Sequence, residues 1–330
     1  MTGELGARNG RKRGSRPPGW MRQPEIWAFA VLGLGLAAIL LGWTYTHHIL
    51  ALAGAAVLVF SVPVWILAGW RAGLAWAVAG VAAFAHVAPQ FLPRFAGPAS
   101  GCTLRLLTYN TLSRTENDGE TAALVAGIAP DLIFLQETGN TQATAAAILA
   151  LPGWEGASVV RRADRSSLVI SRFPLWMREG EWADQRVETT IEGTPVSLWN
   201  VHGPKDFMSQ ENYDIYHARL FAEIAQTRNA RIVAGDFNAT DLTPEMRKLL
   251  SVIDDAFQTA GWGFGFTFPG PARAMGRIAP FLRIDRVLYS AEFDVAAIER
   301  LPDSHGSDHY PVVADMILIG KGEAGAPCKP

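Results

Sequence analysis

The pattern of apolar and polar positions divides the chain into two parts near residue 100. Before that point lie three long apolar runs, Ile26–Trp43, Ile49–Leu67 and Ala72–Ala88, and the first two contain no charged residue. Each run approaches the roughly 20 residues that an α-helix needs to cross the hydrocarbon core of a bilayer. The pattern therefore predicts three transmembrane helices within residues 26–88.

Basic residues predict the orientation of these helices. Residues 1–25 form a basic tail with six cationic residues: Arg8, Arg11, Lys12, Arg13, Arg16 and Arg22. The loop Thr44–His48 contains no lysine or arginine. Because cytoplasmic flanks of membrane helices are enriched in these residues, we expect a multi-pass protein of the cell membrane with a cytoplasmic N-terminus. Three transmembrane helices would then place all residues after the third run on the extracytoplasmic side.

After a linker over residues 89–102, which contains three prolines, the pattern changes to short alternating and apolar stretches. These stretches predict strands, and longer periodic stretches predict helices. The expected strands are Leu104–Asn110, Leu132–Gln136, Ser167–Ser171, Val187–Ile191, Val196–Val201, Ile232–Ala234, Ile284–Tyr289, Phe293–Arg300 and Tyr310–Ile319. The expected helices are Thr121–Ile128, Thr141–Leu151, Gln210–Thr227 and Met246–Leu250. This order predicts an α/β (α+β) domain over residues 103–322, with two packed sheets and outer helices, and a tail over residues 323–330.

The chain has two cysteines, one at each end of this domain. Cys102 precedes the first expected strand and Cys328 follows the last. Both fall on the predicted extracytoplasmic side, where disulfides persist. If the first and last strands are neighbours, the two cysteines can form a disulfide; otherwise they are two free thiols, and the sequence leaves both alternatives open.

The stretch Arg231–Asp241, RIVAGDFNATD, carries the first sign of chemistry. A short apolar strand ends at Gly235-Asp236-Phe237-Asn238. Since residues i and i+2 of an extended chain point the same way, Asp236 and Asn238 are expected to project into one site. A carboxylate beside an amide suits a divalent cation and a phosphate oxygen. The alternative is an ordinary turn, because Gly, Asp and Asn all favour turns.

Similar polar residues stand at the ends of other expected strands. Each one alone has an ordinary explanation as a turn residue or a solvated side chain. Together they place groups that bind metal or phosphate at six strand ends, which predicts an active site. They are Asn110, Glu137, His202, the pair Asp236 and Asn238, Asp285, and the pair Asp308 and His309.

This ordered set resembles the endonuclease/exonuclease/phosphatase superfamily, which includes the type I deoxyribonucleases. The resemblance rests on TYN at Asn110, QET at Glu137, GDFN, IDRVLYS at Asp285 and SDH at Ser307–His309, and covers about residues 103–320. It implies a four-layer sandwich of two mixed β-sheets and a metal-dependent hydrolase of phosphate esters.

The resemblance also implies a role for each residue. Glu137 is expected to be the principal Mg²⁺ ligand, with Asn110 beside it and Asp308 as a further acid at the metal site; Mn²⁺ and Ca²⁺ are the alternative ions. Asp236 and Asn238 would orient the attacking water and the phosphate. His309 would be the catalytic histidine with Asp285 as its partner, and His202 a second histidine.

The substrate is predicted from charge and from the apolar runs. From residue 101 onward, 21 basic and 29 acidic residues give a formal charge of −8, which disfavours extended contact with nucleic acid. The loop Gly261–Gly276 places four aromatic residues near Arg273 and Arg277, so these arginines are candidate substrate-binding residues, and the aromatics either contact lipid or belong to the core.

The whole arrangement resembles a membrane-anchored bacterial branch of the superfamily, the membrane phosphatases associated with glycopeptide resistance, which act on lipid pyrophosphates. We therefore expect the bilayer as a partner and a phosphorylated, lipid-linked substrate. The alternative is a membrane-tethered nuclease that acts on extracytoplasmic nucleic acid.

Overall fold

The structure, a computed structural model, describes residue 78 and residues 99–113, 118–162, 166–177, 185–205 and 209–330. The basic tail and the three predicted transmembrane helices lie outside the described residues, apart from Val78, and stay predictions. Within the described ranges, none of the helices is both long and apolar enough to cross a membrane.

Two six-stranded mixed sheets form the domain. The first sheet has the strand order β11-β12-β1-β2-β4-β3, and the second has the order β5-β6-β7-β8-β10-β9. The strands of the first sheet are β1 (Gly101–Asn110), β2 (Leu132–Gln136), β3 (Ser158–Arg162), β4 (Ser167–Ser171), β11 (Phe293–Arg300) and β12 (Val312–Ile319). Those of the second are β5 (Leu175–Met177), β6 (Gln185–Ile191), β7 (Thr194–His202), β8 (Ala230–Asp236), β9 (Asp254–Asp255) and β10 (Asp285–Tyr289).

Each sheet contains one parallel pair among antiparallel neighbours. In the first sheet β1 runs parallel to β2, and in the second β7 runs parallel to β8. Parallel strands end at the same edge of a sheet, so each pair delivers two C-terminal ends to one place. These two edges carry the candidate site.

Three apolar clusters define four layers. One cluster joins the inner faces of the two sheets, for example Phe134 and Val169 with Leu198 and Ile232. A second packs α1 and α2 on the first sheet, and a third packs α3 and α4 on the second. The helices are α1 (Asp118–Ile128), α2 (Thr141–Leu149), α3 (Gln210–Gln226), α4 (Pro244–Leu249) and α5 (Ala256–Ala260). The expected architecture of two packed mixed sheets with outer helices is confirmed.

Local sequence explains where these helices begin. The side chain of Asn140 accepts a hydrogen bond from the backbone N–H of Ala143 at the start of α2. Ser209 caps α3, and Thr243 caps α4 just before Pro244. Such caps satisfy N–H groups that have no partner inside the helix.

The ends of the domain are joined. β1 and β12 are antiparallel neighbours, with Gly101 opposite Ile319. Cys102 and Cys328 form a disulfide with a Cα–Cα distance of 5.0 Å, and the backbone of Cys328 donates a hydrogen bond to Thr103. Of the two alternatives that the sequence left open, the structure has the disulfide. The C-terminal residues are thereby attached along β1.

Candidate active site

Strand register brings the polar strand ends together. In the first sheet Asn110 lies opposite Gln136, so Glu137 follows directly beside it. In the second sheet Asp236 lies between His202 on β7 and Asp285 on β10. Two sheets therefore contribute facing groups to one cleft, as the strand-end pattern predicts.

Asn110 connects the two sheets at this cleft. Its side-chain N–H₂ donates to Glu137 Oε1 and to Asp236 Oδ2, each at 3.1 Å. Its Oδ1 accepts from the backbone N–H of Leu112 at 3.0 Å. Asn110 is completely buried, so these bonds fix the spacing between the expected metal ligand and the expected base.

Asp236 is held by three donors. The backbone N–H of Asn238 donates to Oδ1 at 2.9 Å, and Asn238 Nδ2 donates to Oδ2 at 3.2 Å, beside the bond from Asn110. Asn238 Nδ2 also donates to the carbonyl of Gly203. Burial raises the pKa of Asp236, while the positive charge of His309 acts in the opposite sense. The carboxylate is oriented, buried and a stronger base than one in water.

The backbone around Asp236 explains the glycine before it. Gly235 has φ +142, and a Cβ there would lie 2.1 Å from the carbonyl oxygen of Val201. Only glycine tolerates both the dihedral angle and this approach of β8 to β7. The close approach brings Asp236 beside His202.

His309 is paired with Asp285. Its Nδ1 lies 2.8 Å from Asp285 Oδ2, and its Nε2 lies 3.7 Å from Asp236 Oδ2. Burial opposes a charged imidazole, but the carboxylates of Asp285 and Asp236 outweigh it and raise the pKa of His309 to about 9. Because Asp285 is the closer carboxylate, we take Asp285 and His309 as the ion pair and Asp236 as the group that accepts a proton.

Glu137 has the properties of a metal ligand. The hydrogen bond from His202, at 3.3 Å, lowers the pKa of Glu137 to about 2, with help from the amide of Asn110 and against burial. The carboxylate is therefore ionised at neutral pH. Its backbone has φ +48, a left-handed conformation that is uncommon for residues other than glycine and costs about 1–3 kcal/mol. Such strained residues cluster at functional sites.

The donor set fits a hard divalent cation. Among the described residues, the contacts to the Glu137 carboxylate from Asn110 and His202 both fall on Oε1. Glu137, His202 and Asp236 lie close enough together to hold a metal ion, and Asp236, Asp285 and His309 form a second such group. Oxygen-rich donor sets of this kind suit Mg²⁺, Mn²⁺ or Ca²⁺.

Asp308 lies on the histidine side of the cleft. Its Oδ1 is 4.0 Å from His309 Nε2, and its Oδ2 accepts from Arg273 Nε at 2.6 Å. In the part of the chain that the structure describes, Asp308 belongs to neither metal-capable group and its buried Oδ1 accepts no hydrogen bond. Its assignment as a metal ligand stays a prediction.

The structure separates the two arginines that were expected to bind substrate. Arg273 reaches the cleft through Asp308, and half of its side chain is exposed. Arg277 lies in the exposed 3₁₀ turn Met275–Arg277, and none of the described residues forms an ion pair or hydrogen bond with it. Of the pair, only Arg273 is placed at the site.

Several supporting residues were not predicted from the sequence. Thr267 Oγ1 accepts from the backbone N–H of Asp285, and Ser307 Oγ donates to the carbonyl of Asn110. Gln136 and Asn200 form a buried side-chain hydrogen bond of 2.7 Å between the two sheets, directly beneath the cleft. An amide inside an otherwise apolar strand was the available signal for Gln136 and Asn200.

Comparison with known proteins agrees with this geometry. The profile of the Endonuclease/Exonuclease/phosphatase family matches residues 107–309, more than half of the chain. The chain belongs to this family. Its members are metal-dependent hydrolases of phosphate esters, and the protein is an enzyme of that class. A comparison with curated proteins finds no match.

Solved structures share the fold of this endonuclease/exonuclease/phosphatase domain. An AP endonuclease, LMAP from Leishmania major, matches with a TM-score of 0.54 and 14% identity, over 70% of this chain and 94% of that chain. A family protein from Bacteroides thetaiotaomicron matches with a TM-score of 0.53 and 14% identity, over 66% and 98%. A 3′ phosphatase, NExo from Neisseria, bound to a product DNA hairpin, matches with a TM-score of 0.51 and 18% identity, over 64% and 98%. The TM-scores indicate a common fold, and at these low identities the similarity extends to the fold alone.

Proposed function

We propose that the protein is a membrane-anchored, Mg²⁺-dependent phosphoesterase with an exported catalytic domain, and that it hydrolyses a phosphate ester or pyrophosphate of a lipid-linked substrate. One observation carries the catalytic part of this proposal. Asn110 holds Glu137 on one side and Asp236 on the other, so that a metal ligand and a base lie on opposite sides of one amide, beside the Asp285–His309 pair.

The side chains divide the reaction between them. Asp236 Oδ2 would take the proton of a water that attacks phosphorus, since its other contacts come only from donors. His309 Nε2 would donate a hydrogen bond to the phosphate oxygens as their charge increases, with Asp285 keeping the imidazole protonated and oriented. Asn238 would position the phosphate from beside Asp236. Catalysis of phosphoryl transfer consists largely of such positioning and charge stabilisation.

Glu137 and Asn110 would hold the cation. When bound, a divalent cation would neutralise charge on the phosphate oxygens and orient the substrate. Mg²⁺ is proposed because it binds through one or two carboxylates and keeps several waters, which matches the small number of donors here. Mn²⁺ and Ca²⁺ are the alternatives, and the assignment of Asp308 as a further acid at the metal site stays a prediction.

Two features favour a lipid-linked substrate. The chain carries three apolar runs of near-spanning length before the domain, which would hold the active site close to a bilayer. The domain after residue 100 has a formal charge of −8, whereas proteins that bind extended nucleic acid present basic surface to the phosphates.

A membrane-tethered nuclease acting on extracytoplasmic nucleic acid is the second candidate. It is favoured by the fold shared with an AP endonuclease and with a 3′ phosphatase bound to a DNA hairpin. The two candidate functions need the same catalytic residues, so only an assay that compares lipid and nucleic-acid substrates distinguishes them.

The test is hydrolysis by the purified full-length chain in detergent with Mg²⁺. A polyprenyl pyrophosphate, a panel of phospholipids and supercoiled DNA are offered side by side, and Asp236→Ala is the control. We expect release of phosphate or headgroup from a lipid, lost in Asp236→Ala and after chelation of the metal. Nicking of DNA with the lipids untouched would replace the proposal by the nuclease.

A further inference from the structure

Exposed hydrophobic side chains are concentrated in one loop. Of the ten large hydrophobic side chains that are exposed among the described residues, five lie between residues 262 and 281. They are Trp262, Phe264, Met275, Ile278 and Phe281, and Ile278 is 89% exposed. Single exposed apolar residues are ordinary, but a concentration of them marks an interaction surface. We call residues 261–282 the apolar loop.

The apolar loop is attached to the active site at its base. Thr267 and Phe268 exchange backbone hydrogen bonds with Leu282, and the ring of Phe268 packs 4.8 Å from that of His309. The backbone N–H of Gly270 donates to the carbonyl of Asp308. A Cβ on Gly276 would lie 1.9 Å from the carbonyl oxygen of Gly270, so the two arms of the loop touch at this point. The exposed residues therefore keep a fixed place next to the cleft.

The two arms both contribute residues to one cavity. Phe264 stacks on Phe266 with a centroid distance of 5.1 Å, and both line a shallow cavity together with Trp262 and Pro280. Of the four aromatic residues that the sequence offered either to lipid or to the core, Trp262 and Phe264 are exposed, while Phe266 and Phe268 are half-buried. Trp262 and Phe264 are therefore available to contact lipid, whereas Phe266 and Phe268 are partly packed in the core.

The charge of the loop is opposite to that of its domain. Residues 261–282 contain Arg273 and Arg277 and no acidic residue, in a domain whose formal charge is −8. Exposed apolar and aromatic side chains beside arginine are the composition of segments that lie in the interface of anionic bilayers. The exposed apolar side chains of this loop favour a nonpolar environment, and its two positive charges are complementary to anionic lipid headgroups.

The chain before the domain determines how far this loop can be from a bilayer. Residues 89–100, fully extended at about 3.5 Å each, reach about 40 Å at most. A domain of this size is about 45 Å wide, by the scaling of the radius of gyration with chain length. The linker is thus slightly shorter than the domain is wide, so it keeps the start of β1 within about 40 Å of a membrane that holds the third apolar run.

We propose that the apolar loop docks on the anionic surface of the bilayer, with Trp262, Phe264, Met275, Ile278 and Phe281 in the interface and Arg277 among the lipid headgroups. This inference rests on the proposed membrane anchoring. Docking would turn the cleft toward the lipid plane, because Arg273 of the same loop contacts Asp308 at the cleft. A phosphate on a lipid would then reach the site without leaving the membrane.

The experiment places a fluorescent reporter on the loop. The two native cysteines form a disulfide, so Ile278→Cys in the full-length chain provides a single reactive thiol for the environment-sensitive dye NBD. The labelled protein is reconstituted into phosphatidylcholine vesicles containing phosphatidylglycerol and a shallow doxyl-labelled lipid. Met177→Cys is the matched control, because it is an exposed apolar residue on β5, at the opposite edge of the second sheet from β10 and β9.

We expect several-fold stronger quenching at position 278 than at position 177. Adding Arg277→Glu to Ile278→Cys is expected to reduce the quenching in vesicles with phosphatidylglycerol and to have less effect in phosphatidylcholine alone. Thermal unfolding of each variant confirms that it is folded. Because these residues are exposed, the substitutions are not expected to change the unfolding temperature.

Three results would overturn the inference. Equal quenching at both positions would mean that the domain approaches the membrane without using this loop. A blue shift of the NBD emission that grows with protein concentration would mean that the apolar loop packs against a second copy of the chain. A blue shift of the NBD emission in detergent without lipid would mean that the apolar loop packs against the apolar runs of the same chain. Hydrolysis is measured separately, so quenching at position 278 without lipid hydrolysis would leave docking in place and remove the proposed function.

Discussion

The side chains of the site mainly orient one another through hydrogen bonds. Asn110 fixes Glu137 and Asp236, Asn238 fixes Asp236, and Asp285 fixes His309. The sequence identified these residue types at strand ends, because a polar residue after an apolar run is visible without a structure. It did not reveal that Arg273 contacts Asp308 while Arg277 is exposed, since both lie in one loop without periodicity.

Asp285→Asn should lower kcat by on the order of 100-fold, with little change in KM. The reason is that the amide can no longer hold a positive charge on His309, although it keeps the shape of the side chain. The measurement is steady-state hydrolysis of a soluble phosphodiester with the divalent cation in excess. Asp315→Asn is the matched control, because Asp315 pairs only with Arg105 on the domain surface among the described residues.

A drop in kcat that equals that of Asp315→Asn would remove Asp285 from the mechanism. If unfolding of Asp285→Asn at the assay temperature accounts for the whole loss of activity, Asp285 has a structural role instead. Because Asp285 and His309 form a buried ion pair, Asp285→Asn is also expected to lower the free energy of unfolding, so kcat is measured at a temperature where the variant is fully folded.

Secondary structure elements were predictable where they are long and periodic. β1, β2, β12 and α3 were expected within a few residues of their bounds, because apolar runs and a helical period define them. β3, β5 and β9 were missed. β9 has two residues and β5 three, too few for alternation to appear, and β3 is only half-buried, so its sequence SVVRR lacks a strong apolar pattern.

The contact between the sheets includes a buried amide cluster that the sequence analysis did not identify. Asn200 accepts from Gln136 at 2.7 Å and donates to the carbonyl of Leu135 and to Gln185 Oε1. Asn200→Leu should destabilise the domain by about 2–3 kcal/mol, because it leaves buried polar groups without partners. The measurement is the free energy of unfolding from urea titration, with the exposed Asn212→Leu as control.

The same cluster allows a sharper test by a double variant. Gln136→Leu combined with Asn200→Leu should be less destabilising than the sum of the two single substitutions, because replacing both partners removes the unsatisfied groups together. Simple additivity of the two effects would show that the hydrogen bond between the sheets contributes nothing specific.

A second buried cluster connects the loop after β8 to the start of β10. Arg286 Nη1 lies 2.8 Å from Asp241 Oδ1 and 2.7 Å from Asp255 Oδ2, and Arg283 Nη2 lies 2.7 Å from Asp241 Oδ2. Asp241→Asn should destabilise the domain by about 3–5 kcal/mol at neutral pH, because it removes one partner of a buried ion pair. Asp315→Asn, an exposed pair, should cost less than about 1 kcal/mol.

The effect of Asp241 depends on pH in a definite direction. Burial raises the pKa of Asp241, but Arg286 and Arg283 outweigh it and hold this pKa well below its usual range. A depressed pKa in the folded state contributes stability above the pKa of the unfolded chain, about 3.9, and this contribution is lost as the pH falls further. The difference between wild type and Asp241→Asn should therefore be constant near pH 7 and narrow below about pH 4. A difference that widens in acid would contradict the ion pair.

At the scale of the whole molecule, the sequence predicted two packed sheets but not their strand order. Which strands become neighbours depends on contacts across more than 100 residues, such as the pairing of β1 with β12. The path of the C-terminal tail decided between a disulfide and two free thiols. Neither Cys102 nor Cys328 carries information about the distance between them, whereas the tail after β12 returns along β1, where Pro327 bridges Thr103, and brings the two Cα atoms to 5.0 Å.

The disulfide yields the last prediction, because it closes the domain on itself across 226 residues. Cys328→Ser should lower the free energy of unfolding by about 2–5 kcal/mol, since the linked unfolded chain has fewer conformations. Wild type under reducing conditions should match the variant, and the variant should be insensitive to reductant. In cells that express the full chain, thiol labelling after denaturation should find both cysteines oxidised if the domain is exported as we propose. Free thiols in freshly lysed cells would contradict the proposed export of this domain while leaving the stability effect in vitro unchanged.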